Sequence, residues 1–291
     1  MTRQRGKALT RAALKKFPLP PVVDGDKETK GRILIIAGCR ELAGAALLVA
    51  NAAMRAGAGK LRMATVESVA VGTSLAMPEA MVLGLQEARD SGFTKAAVRR
   101  LREVADSSDV IVAGPGMAPS ATCSALAAAL LQSSASIVLD AALLHSLQPL
   151  DPAKRGSDDP PVLLPHAGEL SSLLDCSEED VDADPLGCGL RAAERYHANV
   201  LVKGVTSHVV TPDGRAWSFT GGAPGLGVSG SGDTLAGIVG GLISRGADTL
   251  TALMWAVLLH GEAGEQLAKK VGPIGFLARQ IPDEIPALLP R

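Results

Sequence analysis

The stretch Gly225-Leu226-Gly227-Val228-Ser229-Gly230-Ser231-Gly232-Asp233-Thr234-Leu235-Ala236-Gly237 puts backbone without Cβ atoms next to a carboxylate. Glycines ahead of a helix let successive N–H groups converge, and the helix end adds partial positive charge, so an anion can be held there. Gly230 and Gly232 are the positions where a Cβ would obstruct that approach, with Ser231 between them. Asp233 falls at the predicted helix start, aimed at the same space. A phosphate repels such a carboxylate, which leaves two readings open. Asp233 is either a base that accepts a proton from an attacking hydroxyl or an N-cap of the helix. Gly237, Gly240 and Gly241 read as positions of close helix packing.

Other candidates lie at the ends of predicted strands. Lys203 follows Val200-Leu201-Val202 and suits a point charge for phosphate, or an ordinary surface lysine. His166, between Pro165 and Ala167, sits on a constrained turn, where it either donates to a substrate oxygen or is satisfied structurally. Glu169 is explained by capping and the helix dipole, with a water-mediated contact to magnesium as the alternative. His260 falls on a mostly apolar stretch and reads as a core or capping group.

The elements that must position these groups alternate. Short apolar runs bounded by glycine read as buried strands: Ile33 to Ala37, Lys60 to Thr65, Val110 to Ala113, Ile137 to Leu139 and Val162 to Leu164. Between them lie helices over Gly44 to Ala56, closed by Gly57, then Phe93 to Ala105 and Ser120 to Leu131. Thr211-Pro212-Asp213-Gly214 joins two strands of a hairpin, and two long helices follow, Gly232 to Ser244 and Thr249 to Lys269. The pattern predicts an α/β fold: a doubly wound, mostly parallel sheet with helices on both faces and a late antiparallel hairpin. In such a sheet, ligands sit beyond the carboxyl ends of the strands. Gly38, Gly114-Pro115-Gly116, Asp140, Pro165-His166 and Lys203-Gly204 all follow strands.

Composition narrows the function classes. The 291 residues are 47% hydrophobic but only 2% aromatic, so small aliphatic side chains must fill the core. A net charge of −1 gives no basic surplus for nucleic acid or an anionic membrane, and no apolar run reaches a membrane span. Cys39, Cys123, Cys176 and Cys188 form no CxxC pair, so no metal site is expected. Without a signal peptide they read as free thiols in a reducing cytoplasm. Residues 1–24 are expected to form a basic, partly helical, solvated arm ending in Pro18-Leu19-Pro20-Pro21, ahead of a single domain over 25–291.

The Ser229 to Asp233 run resembles the glycine-rich anion hole and catalytic Asp of the ribokinase-like superfamily. An ordered set of further segments is similar to one branch of it, the ADP/ATP-dependent NAD(P)H-hydrate dehydratases. The set is Gly44-Ala45-Ala46-Leu47, Arg55 to Gly59, Met77-Pro78-Glu79-Ala80, Gly114-Pro115-Gly116, Leu139-Asp140-Ala141, Leu164 to Glu169 and Leu201 to Gly204. The similarity covers residues 25–290. It implies repair of nicotinamide cofactors hydrated at the ring C5–C6 bond: the hydroxyl is phosphorylated from ADP or ATP with Mg²⁺, and phosphate is then eliminated to give NADH or NADPH. ADP is the expected donor, because no epimerase module is fused to the chain.

Carried over by resemblance, Asp233 is the base that also meets the substrate. Lys203, Gly204, Val205, Thr206, Ser207, Gly230, Ser231 and Gly232 contact the nucleotide. Ala45, Gly114, Gly116 and His166 line the dinucleotide pocket. The resemblance further implies a homo-oligomer, with a tetramer favoured; the small-residue helix offers a flat face for it, or for packing on the chain's own sheet. Departures from the family pattern are Glu28, Lys30, Cys39, Ala142, Leu164, Ala167 and Ser229. The last matters only where that position needs a positive φ. A small-molecule kinase of the same superfamily, acting on a vitamin precursor or sugar alcohol, is the competing reading. A nucleotide sensor without turnover is the third.

Overall fold

The computed structural model describes residues 6–21, 31–149 and 151–290. Its first half runs β1 (Lys7–Ala8), α1 (Arg11–Leu14), β2 (Arg32–Ile36), α2 (Ala43–Arg55), β3 (Lys60–Val66), α3 (Glu67–Ala76), β4 (Met81–Leu85), α4 (Lys95–Ala105), β5 (Val110–Ala113), α5 (Cys123–Leu131) and β6 (Ser136–Leu139). The second continues with β7 (Val162–Leu163), α6 (Ala167–Leu174), α7 (Glu178–Ala183), α8 (Pro185–Tyr196), β8 (Asn199–Val202), β9 (Ser207–Val210), β10 (Ala216–Phe219), α9 (Ser231–Ser244), α10 (Thr249–Lys270) and α11 (Ile281–Leu288).

Ten strands of the described residues form one sheet in the order β1-β10-β9-β8-β7-β6-β5-β2-β3-β4. All pairs are parallel except β8 with β9 and β9 with β10, which form the expected late hairpin. Both faces are covered, which is why the central strands read as unbroken apolar runs. The side chains of β2 alternate between two cores. Ile33 and Ile35 join the one beneath α2, α9 and α10, and Leu34 and Ile36 join the one beneath α4, α5, α6 and α8.

The central sheet runs β2-β3-β4 to one side and β5-β6-β7-β8 to the other, so the winding reverses between β2 and β5. This is the topological switch point where an open sheet leaves a crevice. Helix α9 lies directly over it because its glycines lack side chains. A Cβ on Gly240 would stand 2.4 Å from Val112 Cγ2, and one on Gly237 would stand 2.3 Å from Val49 O of α2. The small-residue face of α2 is therefore spent within the chain, against α9. No helix of the described residues is long and apolar enough to cross a membrane.

The N-terminal arm departs from the solvated reading. β1 adds in parallel to β10, and Leu9 and Leu14 are buried. Arg11 pairs with Glu262 of α10, its Nε 2.8 Å from Oε1, and stacks over the Trp255 ring at 5.9 Å. Trp255 Nε1 donates to Phe17 O at 2.7 Å. Burying Leu14 alone contributes about 2 kcal/mol, which outweighs the arm's tendency to stay solvated. The expected boundary at residues 24 and 25, and the departures Glu28 and Lys30, lie outside the described residues, as do Arg3 and Arg5.

Candidate active site

A staircase of backbone hydrogen bonds sets the strand ends in one row. Gly114 N donates to Ile36 O, Asp140 N to Ala113 O, Leu164 N to Leu139 O and Lys203 N to Pro165 O, at 3.0–3.1 Å. The residues that follow β5, β6, β7 and β8 therefore lie side by side along one edge of the sheet.

Helix α9 enters that edge with an open N-terminus. Gly230 is its N-cap at φ +87°, and no side chain caps the helix. Ser231 N bonds to Val228 O and Thr234 N to Gly230 O, each at 3.1 Å. The Gly232 and Asp233 N–H groups have no partner among the described residues. Two unpaired donors at the positive end of a fourteen-residue helix make an anion site. Lys203 flanks it: a Cβ on Gly232 would stand 3.7 Å from the lysine Nζ. Ser229 has no positive φ, so replacing the usual glycine there costs no backbone strain. Gly230 carries the left-handed turn instead.

Asp233 does not cap α9. It is in the helix's first turn, where Gly230 holds the cap. Burial and the neighbouring charge of Asp140 push its pKa up to about 7, against a pull downward from Lys203. A carboxylate with that pKa is set to exchange a proton near neutral pH.

Behind it lies a buried charge cluster. Lys203 Nζ is 2.8 Å from Asp140 Oδ1 and 3.7 Å from Glu169 Oε2. Burial lowers the lysine's pKa, but the charges of Asp140 and Glu169 outweigh that and raise it above its ordinary value. Burial also raises the Asp140 pKa, with Lys203 opposing it. The next residue, Ala141, takes a left-handed φ of +49°. This costs a non-glycine residue about 1 kcal/mol and places strain beside the cluster.

The substrate-side candidates gather at the switch point in part. A Cβ on Gly116 would stand 2.4 Å from Ala45 Cβ and 3.5 Å from Gly38 Cα, and Gly38 N donates to Pro115 O at 2.8 Å. Gly114, at φ +118°, leaves no room for a side chain: its Cβ would meet Asp140 O at 1.8 Å. Gly114→Ala is therefore expected to cost on the order of 3 kcal/mol in thermal or denaturant unfolding. Gly44→Ala, which meets nothing within 4 Å in α2, should leave stability unchanged or raise it by up to about 1 kcal/mol.

His166 is exposed and caps α6. Its Nδ1 accepts from Gly168 N at 3.1 Å and Glu169 N at 3.4 Å, and Glu169 Oε2 accepts from His166 N at 2.9 Å. With Nδ1 accepting, the neutral ring carries its proton on Nε2. Glu169 thus caps the helix, as read from the sequence, and also faces Lys203. Gly204 to Thr206 form the β8–β9 turn immediately after Lys203, with Val205 almost wholly exposed, and Ser207 at the start of β9 donates its Oγ–H to Gly204 O at 3.3 Å.

Sequence reasoning did not pair Asp140 with Lys203, and it read His260 as a core or capping group without its contact to Ser231. The first had a usable signal, since both residues follow strands flanking a single intervening strand. The second had none. His260 Nε2 stands 3.1 Å from both Ser231 Oγ and Ser231 O.

The sequence matches the profile of the NAD(P)H-hydrate dehydratase family over residues 33–287. It is 47% identical, over all of its length and 99% of the relative's, to the ADP-dependent (S)-NAD(P)H-hydrate dehydratase of Xanthomonas campestris. It is 32% identical over 94% of its length to the bifunctional NAD(P)H-hydrate repair enzyme of Thermofilum pendens, and there it spans about half the relative, 52%. Among solved structures, the ADP/ATP-dependent NAD(P)H-hydrate dehydratase of Bacillus subtilis co-crystallised with ATP/Mg²⁺ superposes with a TM-score of 0.84. That enzyme is 25% identical, with 97% of each chain covered. A profile match across most of the chain and a relative nearly half identical from end to end carry one conclusion: the chain belongs to the NAD(P)H-hydrate dehydratase family.

Proposed function

We propose that this chain is a lyase that restores NADH and NADPH from their hydrated forms, with ADP as phosphoryl donor and Asp233 as the base. The observation that carries this reading is the Asp233 carboxyl, its pKa pushed up to about 7, beside the unpaired N–H groups of α9 and the Lys203 ammonium. The hydroxyl oxygen of the hydrated ring attacks the terminal phosphorus of ADP, its proton passes to Asp233, and AMP leaves. The C–O bond then breaks. Phosphate departs with the oxygen that water had added, the adjacent ring carbon loses a proton, and the C5–C6 double bond is restored. The net change converts hydrate and ADP to NAD(P)H, AMP and phosphate.

In this scheme Lys203, Gly230, Ser231 and Gly232 hold the nucleotide phosphates, and Gly204, Val205, Thr206 and Ser207 contact the rest of the nucleotide. Ala45, Gly114 and Gly116, at the switch point, and His166, after β7, line the dinucleotide pocket. Among the described residues no group of three His, Cys, Asp or Glu side chains could hold a metal ion, and Asp140 and Glu169 are engaged by Lys203. Mg²⁺ therefore fits as a counter-ion carried on the nucleotide phosphates. There it would offset charge on the transferred group.

The partners in this reading are the dinucleotide hydrate and ADP, without nucleic acid or membrane. The free cysteines suit a reducing cytoplasm. A homo-oligomer, with a tetramer favoured, would use a face other than that of α2; the edge strand β4 and α3 expose Met81, Val71 and Leu75.

The test is to add ADP and Mg²⁺ to hydrated NADH. Recovery of the reduced-nicotinamide absorbance band with matching AMP is expected. No recovery with either ADP or ATP, together with phosphorylation of a vitamin precursor or sugar alcohol, would establish the kinase reading instead.

A further inference from the structure

Ser231 is nine-tenths buried at the first position of α9, and two side chains converge on it. Thr234 Oγ1 donates to Ser231 O at 2.7 Å, and His260 Nε2 lies 3.1 Å from both Ser231 O and Ser231 Oγ. A carbonyl oxygen can only accept. The His260 contact to Ser231 O is therefore attractive only when Nε2 carries a proton. Burial lowers the His260 pKa to about 4, so the ring is neutral near pH 7 and Nε2–H is its single N–H. An Nε2 that bears a proton has no lone pair for the Ser231 hydroxyl. The hydroxyl can accept from the ring but cannot donate to it, and it has no other partner among the described residues. Its own O–H remains an unused donor, next in sequence to the free N–H groups of Gly232 and Asp233.

We infer that His260 is a positioning residue for phosphoryl transfer: by donating to the Ser231 carbonyl it leaves the Ser231 hydroxyl free to donate to the transferred phosphate. With the proton on Nδ1 instead, Nε2 would accept from Ser231 Oγ–H and take that donor away from the phosphate. The inference rests on the reading of this loop as a phosphate site. Turnover of hydrated NADH by the unmodified chain tests that reading before any variant is compared.

The experiment measures kcat, ADP affinity and AMP affinity for Ser231→Ala, His260→Leu, His260→Gln and the Ser231→Ala/His260→Leu pair. Ser231→Ala is expected to lower kcat on the order of 10- to 100-fold, the range for losing one donor to a developing charge. AMP, which lacks the transferred group, should bind as before. His260→Leu should lower kcat to a similar degree, and the pair should be no slower than the slower single variant. His260→Gln, whose amide N–H can occupy the Nε2 position, should recover most of the rate. An unchanged kcat in Ser231→Ala, or multiplicative losses in the pair, would overturn the inference. So would a glutamine variant as slow as the leucine one. If His260→Leu fails to fold, the alanine and glutamine variants decide alone, because neither empties the space beside α10.

Discussion

Asp233→Asn is expected to lower kcat by roughly 10²–10⁴-fold, the usual contribution of a general base, while ADP affinity stays level or improves. Asparagine keeps the shape of the side chain and cannot take a proton. It also removes a negative charge that the phosphate must approach. The same variant should be more stable than the natural chain, by an amount that depends on pH. Burial and Asp140 raise the folded-state pKa of Asp233 from 3.8 to about 7. A raised carboxyl pKa means that the folded state prefers the proton, so its penalty is absent below the unfolded value and grows as pH rises. The advantage of asparagine should therefore appear above about pH 4, grow to roughly 2–4 kcal/mol near pH 7, and stay level beyond. Thermal unfolding from pH 4 to 8 checks the stability trend. In the unmodified chain, kcat/KM should rise with pH through about 7 as Asp233 ionises. Equal stability of the two chains at every pH would mean that the carboxyl is not held in a hostile site.

Lys203→Met should be the most damaging single change to the fold at this site. It leaves Asp140, 2% exposed, without its cation and next to Glu169, 4% exposed. An uncompensated buried charge typically costs about 3–5 kcal/mol, enough to lower the melting temperature on the order of 10 °C in a chain of this size. Nucleotide affinity should fall as well, since the ammonium also flanks Gly232. Adding Asp140→Asn separates the two roles: the double variant is expected to regain most of the stability and none of the ADP affinity. Arginine is not a conservative substitute, because its planar fork does not fit a site shaped for a compact ammonium. Urea unfolding and ADP titration of the three variants provide the comparison.

Much of this site was legible in the sequence because its parts are local. The glycine run before an apolar helical stretch places the anion site at Ser231 to Asp233, and α9 begins at Ser231. The rule that ligands meet strand ends groups Gly114, Asp140, His166 and Lys203, and the staircase of backbone hydrogen bonds that follows from parallel pairing sets those strand ends side by side. What the sequence did not reveal depends on long-range contact. Asp140 and Lys203 are 63 residues apart, and their pairing requires β6 and β8 to flank β7. The basic arm reads as solvated because its charges dominate locally; the docking of Leu14, and of Arg11 on Trp255, appears only once α10 is in place. Edge strand β4 went unassigned: Met81 is largely exposed, and Gly84 interrupts a short run in which only Leu85 is fully buried. His260 sits in an apolar stretch that explains it equally well as core. Only the packing of α10 against α9 reveals its contact with Ser231.

The central claim is that the hydroxyl of the hydrated ring becomes the bridging oxygen of a phosphate ester before it leaves. Hydrate prepared in ¹⁸O-water carries the label on that hydroxyl, and its turnover with ADP traces the oxygen directly. One ¹⁸O atom is expected in each phosphate released, equimolar with AMP and restored NADH, by ³¹P NMR isotope shift or mass spectrometry. Unlabelled phosphate, with the label appearing in water, would contradict it, because dehydration would then proceed without phosphorylation of the hydroxyl.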